Sequence, residues 1–431
     1  MKEKGIYFIE DELFLNYEDF FIIKNYIKRS YIEKQLPLIN QKKVYIQDNN
    51  YINAIIKTLA CLDLGLEVVL GTLNIPETSF YKNSFYKLNL NYNIFDLIKE
   101  IDINKTDNKN KSLDCYLNSN ILFFTSGSTG EPKLVKKSIS TLVLESIFLK
   151  KLFKLSNDEN IYSFVPINHI YGFIYSFIIP FYNNYSIHIL PTHFLEKNKY
   201  IKKNGVFITL PSLWSTLENI LTHKPKILVS SGSQLGCNKE TEFKLLKLKH
   251  SSETILFEIL GSTETGGFGY RNIESLPSSQ FYLFNKCRLK RKHNTWYLLS
   301  PYTTSPYNWY KLSDHLSLLN YNKFKYIGRN DKIIKYGQKR ISISSIEKNL
   351  SFLLQKNVIC IFNEDPNFIK GGSIEAYIEG EKLSNEQIIS IKQKYLLIFD
   401  SFFPNKFYFI NEFPKNIIGK TTIVDIKKII T

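Results

Sequence analysis

The chain lacks a long hydrophobic run, paired cysteines and a lysine-bearing P-loop, and each lack removes a class of protein. Its most apolar stretch, Ile170 to Tyr182, is shorter than a bilayer-spanning helix and contains Pro180. That argues against a membrane span. Glu10, Asp11 and Glu12 soon follow the start, where a secretory signal would place its apolar core, so a cytoplasmic location is expected. Cys61, Cys115, Cys237, Cys287 and Cys360 are scattered, with no C-x-x-C pair and no histidine at metal-site spacing. They read as buried thiols of a reducing compartment. The spacing G-x-x-x-x-G-K-[ST] occurs nowhere, which excludes a Walker A loop. H-x-x-x-D stands near no helix start, which argues against an acyltransferase acting on ready-made thioesters.

Charge is abundant and one-sided. The formal net charge is +16, carried by lysines spread along a chain also rich in Asn, Ile and Tyr. This pattern suits a genome biased toward A and T, and no RNA- or DNA-binding motif accompanies it, so a nucleic-acid partner is not expected. A basic surface would still draw in anionic ligands or an acidic protein.

With 431 residues, 44% of them hydrophobic, the chain should form two domains around sizeable cores. Strands are expected at Val44–Gln47, Glu67–Leu70, Ile121–Phe124, Gly205–Leu210, Lys226–Ser230 and Thr254–Leu260. Helices are expected at Tyr51–Leu64, capped by Asn50 and stopped by Gly65, at Ser212–Leu221 and at Lys239–Lys249. This alternation predicts a doubly wound α/β body of parallel strands under covering helices. Asp102–Ser112 reads as a polar loop. After Asp331 the pattern shifts to short strands with helices near Ser344–Leu354 and Asn385–Leu397, a small α+β unit. The expected division is 1–329 and 330–431. No internal repeat is evident.

Five segments carry chemistry. The first is Thr125-Ser126-Gly127-Ser128-Thr129-Gly130-Glu131-Pro132-Lys133. Its glycines allow close backbone approach, its hydroxyls and N–H groups can converge on a polyanion, and Lys133 adds positive charge. A Ser/Gly-rich surface loop is the lesser alternative for this segment taken alone. The second, Gly261-Ser262-Thr263-Glu264, puts a carboxylate beside a hydroxyl on a turn, which suits Mg²⁺ held with phosphates. Isolated, it reads equally as a turn with a solvated Glu. In the third, Asp314 follows Leu312-Ser313; a carboxylate is a natural acceptor for a vicinal diol, and also a common turn former. The fourth is Gly328-Arg329-Asn330-Asp331-Lys332-Ile333-Ile334-Lys335, followed by Arg340 and Glu347. The last is Phe413-Pro414-Lys415-Asn416-Ile417-Ile418-Gly419-Lys420.

In this order the segments resemble the adenylate-forming superfamily: acyl-CoA synthetases, aryl-acid ligases and peptide-synthetase adenylation domains. The resemblance implies a large N-terminal domain of doubly wound sheets and a small, mobile C-terminal lid. It implies ATP and Mg²⁺, a small carboxylic acid, and CoA or carrier-protein phosphopantetheine as acyl acceptor. Thr125 to Gly130 with Lys133 would hold phosphates; Thr263 would contact phosphate and Glu264 the Mg²⁺. Asp314 would bind ribose, with Arg329 beside it in the nucleotide site, and Asp331 would be the hinge. Lys420 would reach the acid and the α-phosphate. By the same likeness, His169, in Pro166-Ile167-Asn168-His169-Ile170-Tyr171-Gly172, would gate the thiol path, although a core histidine is the other reading. Ser231 and Gly232, in Ser231-Gly232-Ser233-Gln234-Leu235, would flank adenine and the acyl group, and Gly261 would belong to the nucleotide-binding residues.

Some positions depart from the family pattern. Leu260 stands where an aromatic is usual, and Leu312-Ser313 replaces Thr-Gly. Gln338 takes the place of a glycine before Arg340, with Gly337 one position early. That displacement touches the thiol path rather than adenylation. A narrower likeness is to short ligases of aryl-polyene pathways, carried by Glu258 to Gly267 with Arg271, by Lys339-Arg340-Ile341-Ser342, and by Leu299-Ser300-Pro301. It implies an aryl or medium apolar acid loaded onto an acyl carrier protein. Transfer to free CoA, adenylation with a non-thiol acceptor, and a non-catalytic binding protein are the alternatives. Retention of Lys420, Glu264, Asp314 and Arg329 argues against the last.

Overall fold

The computed structural model describes residues 4–8, 13–39, 43–48, 50–71, 85–88, 97, 113–125, 133–190, 201, 203–211, 213, 217–232, 235, 237–275, 280–293, 295–329, 333–336, 339–364, 372–399, 402–414, 421 and 426. The fold is α/β, with two large sheets and a smaller α+β part following them.

An 11-stranded sheet runs, edge to edge, through Asp314–Asn320, Lys323–Arg329, Gln280–Leu283, Gly266–Asn272, Ile255–Ser262, Ile227–Ser230, Val206–Thr209, Asn160–Ser163, Ser186–Ile189, Gly5–Phe8 and Leu13–Asn16. From Ile255–Ser262 to Gly5–Phe8 neighbours are parallel; the outer pairings are antiparallel. A 5-stranded sheet is ordered Phe85–Lys87, Lys43–Ile46, Val68–Leu70, Asn120–Thr125, Lys133–Ser138, and only its last pairing is antiparallel. The parallel strands Val68–Leu70, Val206–Thr209 and Ile227–Ser230 are buried at every position. Their near-continuous apolar composition is what strands covered on both faces require.

Helices fill the covering layers. Tyr51–Asp63 begins where the Asn50 side chain accepts the Asn53 N–H at 3.0 Å, and its expected stripe of Ile52, Ile55, Ile56, Leu59 and Leu62 is buried. Gly65, at φ +69°, adopts the left-handed conformation that ends it. Ile139–Leu152 starts at Ser138, whose side chain accepts the Thr141 N–H at 3.2 Å. Leu142 and Leu149 of this helix are fully buried, each worth about 1.5–3 kcal/mol. Both sheets share one continuous core with these helices.

Beyond Ile333 lies a hairpin, Ile333–Tyr336 with Lys339–Ser342, then a 3-stranded sheet of Val358–Glu364, Gly372–Glu379 and Lys406–Ile410. Ile343–Leu354 and Asn385–Phe399 are its helices. This part has its own core, with Ile346, Leu350, Ile374, Ile378 and Tyr395 at its centre.

Two expectations need amendment. The strand expected to end at Leu260 continues to Ser262, because a register shift at Leu260/Gly261 lets Gly261 and Ser262 pair with Gly267 and Gly266. Of the helix expected over Ser212–Leu221, Leu217–Thr222 is described, while Ser212 and residues 214–216 lie outside the described residues. Cys61, Cys287 and Cys360 are buried as expected, but Cys115 is exposed, since Leu113 and Tyr116 take the inward side of its short turn. The Asp102–Ser112 loop lies outside the described residues. Among the described residues, no helix is long and apolar enough to cross a membrane.

Candidate active site

A tight turn, Thr263 to Thr265, joins strands Ile255–Ser262 and Gly266–Asn272. Two side chains lock it. The Thr265 hydroxyl accepts from Ser262 N–H at 2.9 Å and donates to the Gly266 carbonyl at 2.7 Å, while Ser262 Oγ accepts from Thr265 N–H at 3.2 Å. Thr263 and Glu264, between them, take no part in these bonds. The Glu264 carbonyl accepts from Thr304 N–H at 2.9 Å, anchoring its backbone. Gly266 sits at φ +66°, and a Cβ there would come within 2.6 Å of Glu145 Oε2. Glycine is therefore required both by conformation and by space.

The turn divides two spaces. On one side Glu264 borders a cleft of about 530 Å³ with Asn120, Leu134, Lys136, Thr141 and Thr304. On the other, Thr263 and Gly261 border a cavity of about 170 Å³, with His169, Tyr171, Ser231 and Gly232 among its walls. Ser231 and Gly232 stand just past the strand end at Ser230, where binding loops of parallel sheets belong. The Ser231 hydroxyl donates to the Ile259 carbonyl at 2.9 Å, so it fixes the loop against the neighbouring strand. His169 immediately precedes the short helix Ile170–Gly172 and is half-buried.

Asp314 and Arg329 face each other across the antiparallel pair at one edge of the large sheet. Tyr310 links this edge to the turn. Its hydroxyl is pushed up by burial first, then by the charges of Glu264 and Asp314, which places it near both carboxylates. Leu312, at the departure from the expected motif, is buried and its N–H donates to Trp296 O at 2.8 Å. Lys133 is exposed, opposite Thr125 in register. Ser126, Gly127, Ser128, Thr129, Gly130, Asp331 and Lys420 lie outside the described residues.

A buried polar cluster behind the turn escaped the motif reading. Lys137 and Glu145 are 1% and 2% exposed. Lys137 donates from Nζ to the Tyr302 carbonyl. Burial lowers its ammonium from the usual lysine range, against the opposing pull of Glu145 and Glu264. Burial raises the Glu145 carboxyl, opposed by Lys137 and the Gly267 N–H. A signal did exist: Lys137 alternates with Val135 on the inward face of its strand, and Glu145 falls between Leu142 and Leu149 on an apolar helix stripe.

A second cluster secures the Ser231 loop. Fully buried Arg271 donates from Nε to Glu258 at 2.5 Å and from Nη1 to Glu240 at 3.0 Å. The other Glu258 oxygen accepts from Leu235 N–H at 2.8 Å. Arg271 thus acts on the loop through Glu258.

Among the described residues, no three His, Cys, Asp or Glu side chains converge as a metal cage. A single carboxylate is nonetheless enough for a Mg²⁺ that is held largely by substrate phosphates, and Glu264 faces the cleft where such a group would lie.

Residues 99–289 match the family model described as AMP-binding enzyme. That stretch, somewhat under half of the chain, is similar to the AMP-binding enzymes, in keeping with the resemblance carried by the sequence motifs. It is similar to a 4-coumarate–CoA ligase of Cereibacter sphaeroides, 24% identical over 234 residues, a match spanning 52% of either chain. The matched stretch is thus about half the length of that ligase. ATP-bound MatB from Rhodopseudomonas palustris matches 99% of this chain and 95% of its own, with a TM-score of 0.74 and 13% identity. An O-succinylbenzoate coenzyme A synthetase from Bacillus subtilis, in complex with ATP and magnesium ion, matches 97% and 95%, with a TM-score of 0.74 and 16% identity. At these identities the structural likeness is one of fold.

Proposed function

We propose that this protein activates a small carboxylic acid with ATP, forming an acyl-adenylate and releasing pyrophosphate, and then passes the acyl group to a pantetheine thiol. The observation that carries this reading is the placement of one turn between two spaces, with Glu264 on the cleft and Thr263 on the smaller cavity. Nucleotide would occupy the cleft and the acid the cavity, so that carboxylate and α-phosphate meet at the turn.

A carboxylate is a poor acyl donor because its oxygen is a poor leaving group. Attack of that oxygen on the α-phosphorus forms the mixed anhydride and breaks the bond to pyrophosphate. Alignment and charge neutralisation carry such a step. Thr125 to Gly130 and Lys133 would hold the phosphates, with Thr263 beside them. Mg²⁺ on Glu264 would neutralise phosphate charge. Asp314 would take the ribose hydroxyls, next to Arg329, and Lys420 would approach from the lid. The lid would comprise residues 330–431, turning on Asp331 to withdraw Lys420 and open a path past His169 for the thiol. Such gating is a hinge motion.

For the acceptor, the reading is an acyl carrier protein, in keeping with the short aryl-polyene-type ligases that this sequence resembles. The exposed basic strand at Arg288, Lys290, Arg291 and Lys292 would complement an acidic carrier. The test is acid-dependent exchange of labelled pyrophosphate into ATP, followed by loading of CoA and of carrier-bound pantetheine at equal concentration. Exchange with faster carrier loading supports the reading. Exchange with faster CoA loading leaves adenylation standing and moves the protein to the acyl-CoA synthetases.

A further inference from the structure

The smaller cavity has polar groups that its own walls leave unsatisfied. Most of its lining is apolar or backbone, from residues such as Val165, Ile170, Ile174 and Ile259. Two buried side chains break that pattern. Glu145 and Tyr175 are each 2% exposed, and both line the cavity. Glu145 Oε1 accepts from Gly267 N–H at 2.9 Å, but its Oε2 has no hydrogen-bond partner. The Tyr175 hydroxyl has none either. The two are close enough that the Glu145 charge, after burial, helps raise the Tyr175 phenol. Neighbouring Tyr171 is different: its hydroxyl already lies 3.0 Å from Thr209 O and 2.9 Å from Val229 O.

A buried polar atom without a partner costs about 1–3 kcal/mol. Two such atoms, on side chains that line one cavity, are best explained by a ligand group that completes both. A hydroxyl does so: it donates to the carboxylate oxygen and accepts from the tyrosine O–H. An alkyl group satisfies neither. Burial raises the Glu145 carboxyl to about 7 against the smaller downward pull of buried Lys137, so its free oxygen is an acceptor above that pH, where the comparison below is made. Size narrows the ligand further. The cavity is about 170 Å³, and a dry engineered cavity of about 150 Å³ in another protein holds benzene.

We propose that the acid is a single-ring aromatic acid bearing a hydroxyl on the part of the ring remote from its carboxyl, and that Glu145 and Tyr175 read that hydroxyl. This rests on the reading that an acid enters the cavity to be adenylated.

The test compares benzoate with its 3-hydroxy, 4-hydroxy and 4-amino derivatives, by calorimetric binding and by pyrophosphate exchange. A hydroxybenzoate should exceed benzoate in kcat/KM by roughly 10²-fold or more, as sites built to bond a substrate hydroxyl do. That ratio should collapse toward unity in Glu145→Gln, which keeps the shape, and fall in Tyr175→Phe; thermal melts confirm that both variants fold. Equal use of benzoate and the hydroxybenzoates, preference for the amino derivative, or a hydroxyl preference that survives both substitutions overturns the inference while the adenylation reading stands. If aliphatic acids are activated and no benzoate derivative binds, the inference likewise falls alone. Failure of every acid in a broad panel to drive exchange overturns the adenylation reading itself, and the inference with it.

Discussion

Glu145 accepts the backbone N–H of Gly267 at 2.9 Å across 122 positions of sequence. The bond ties the helix that follows the second of two antiparallel strands, Asn120–Thr125 and Lys133–Ser138, to the turn bearing Thr263 and Glu264. The loop expected to hold phosphate joins those two strands, so a buried carboxylate couples the proposed phosphate side of the site to its acid side.

Glu264→Gln should raise the Mg²⁺ concentration needed for half-maximal pyrophosphate exchange. An amide is a weaker ligand for a hard cation than a carboxylate. The turn itself should persist, since Ser262 and Thr265 lock it without the Glu264 side chain. A Mg²⁺ titration of exchange, wild type against variant, checks this. Unchanged dependence would return Glu264 to a turn former.

Replacing Lys420 by alanine should slow the adenylation step by roughly 10²–10³, the cost typical of losing one charge-stabilising group. Thioester formation from a synthetic acyl-adenylate should survive, because the lid would by then have withdrawn this lysine. Separate single-turnover assays of each half-reaction distinguish the outcomes. Equal losses in both would show that Lys420 does not belong to the first step.

Asp314→Ala should weaken ATP binding far more than binding of a nucleotide lacking both ribose hydroxyls. If Asp314 accepts from the diol, removing either partner makes the other redundant, as in a double-mutant cycle. Fluorescence titration of both nucleotides against both proteins gives the four constants. Equal losses would place Asp314 away from the ribose.

The Glu145 carboxyl sets a pH dependence of stability whose sign is fixed by burial. Its pKa is pushed up from an ordinary 4.5 to about 7, so between those values the folded chain holds a proton the unfolded chain has released. Its contribution is complete below the lower value and is lost as pH rises through the upper one. The slope approaches about 1.4 kcal/mol per pH unit in that window. Urea melts from pH 4.5 to 7 should show a steeper loss in wild type than in Glu145→Gln. Parallel curves would count against the shift.

Much of the architecture was legible because periodicity reports burial directly. The stripe from Ile52 to Leu62 and the apolar strand Ile227–Ser230 follow from spacing alone. Asp314 and Arg329 were both assigned to the nucleotide site from motif position, and the strand register sets them opposite each other. The end of the Leu260 strand was misjudged because glycines usually signal a turn, while here Gly261 and Gly267 pair across a bulge. Glu145, Lys137 and Tyr175 were passed over for another reason. A charge inside an apolar stripe looks like a defect of pattern, and its meaning depends on Gly267 and the cavity wall, which only tertiary contact supplies. The Arg271–Glu258–Glu240 cluster was likewise beyond local reading, since its members meet across strands and a helix.

The most direct test of the central claim is to incubate the protein with ATP, Mg²⁺ and a panel of carboxylic acids without any thiol, and to look by mass spectrometry for an acyl-AMP. The account predicts an acid-specific species with the mass of acid plus AMP less one water, formed in step with pyrophosphate. ATP turnover to ADP and phosphate, or an acid-independent release of AMP, would contradict it.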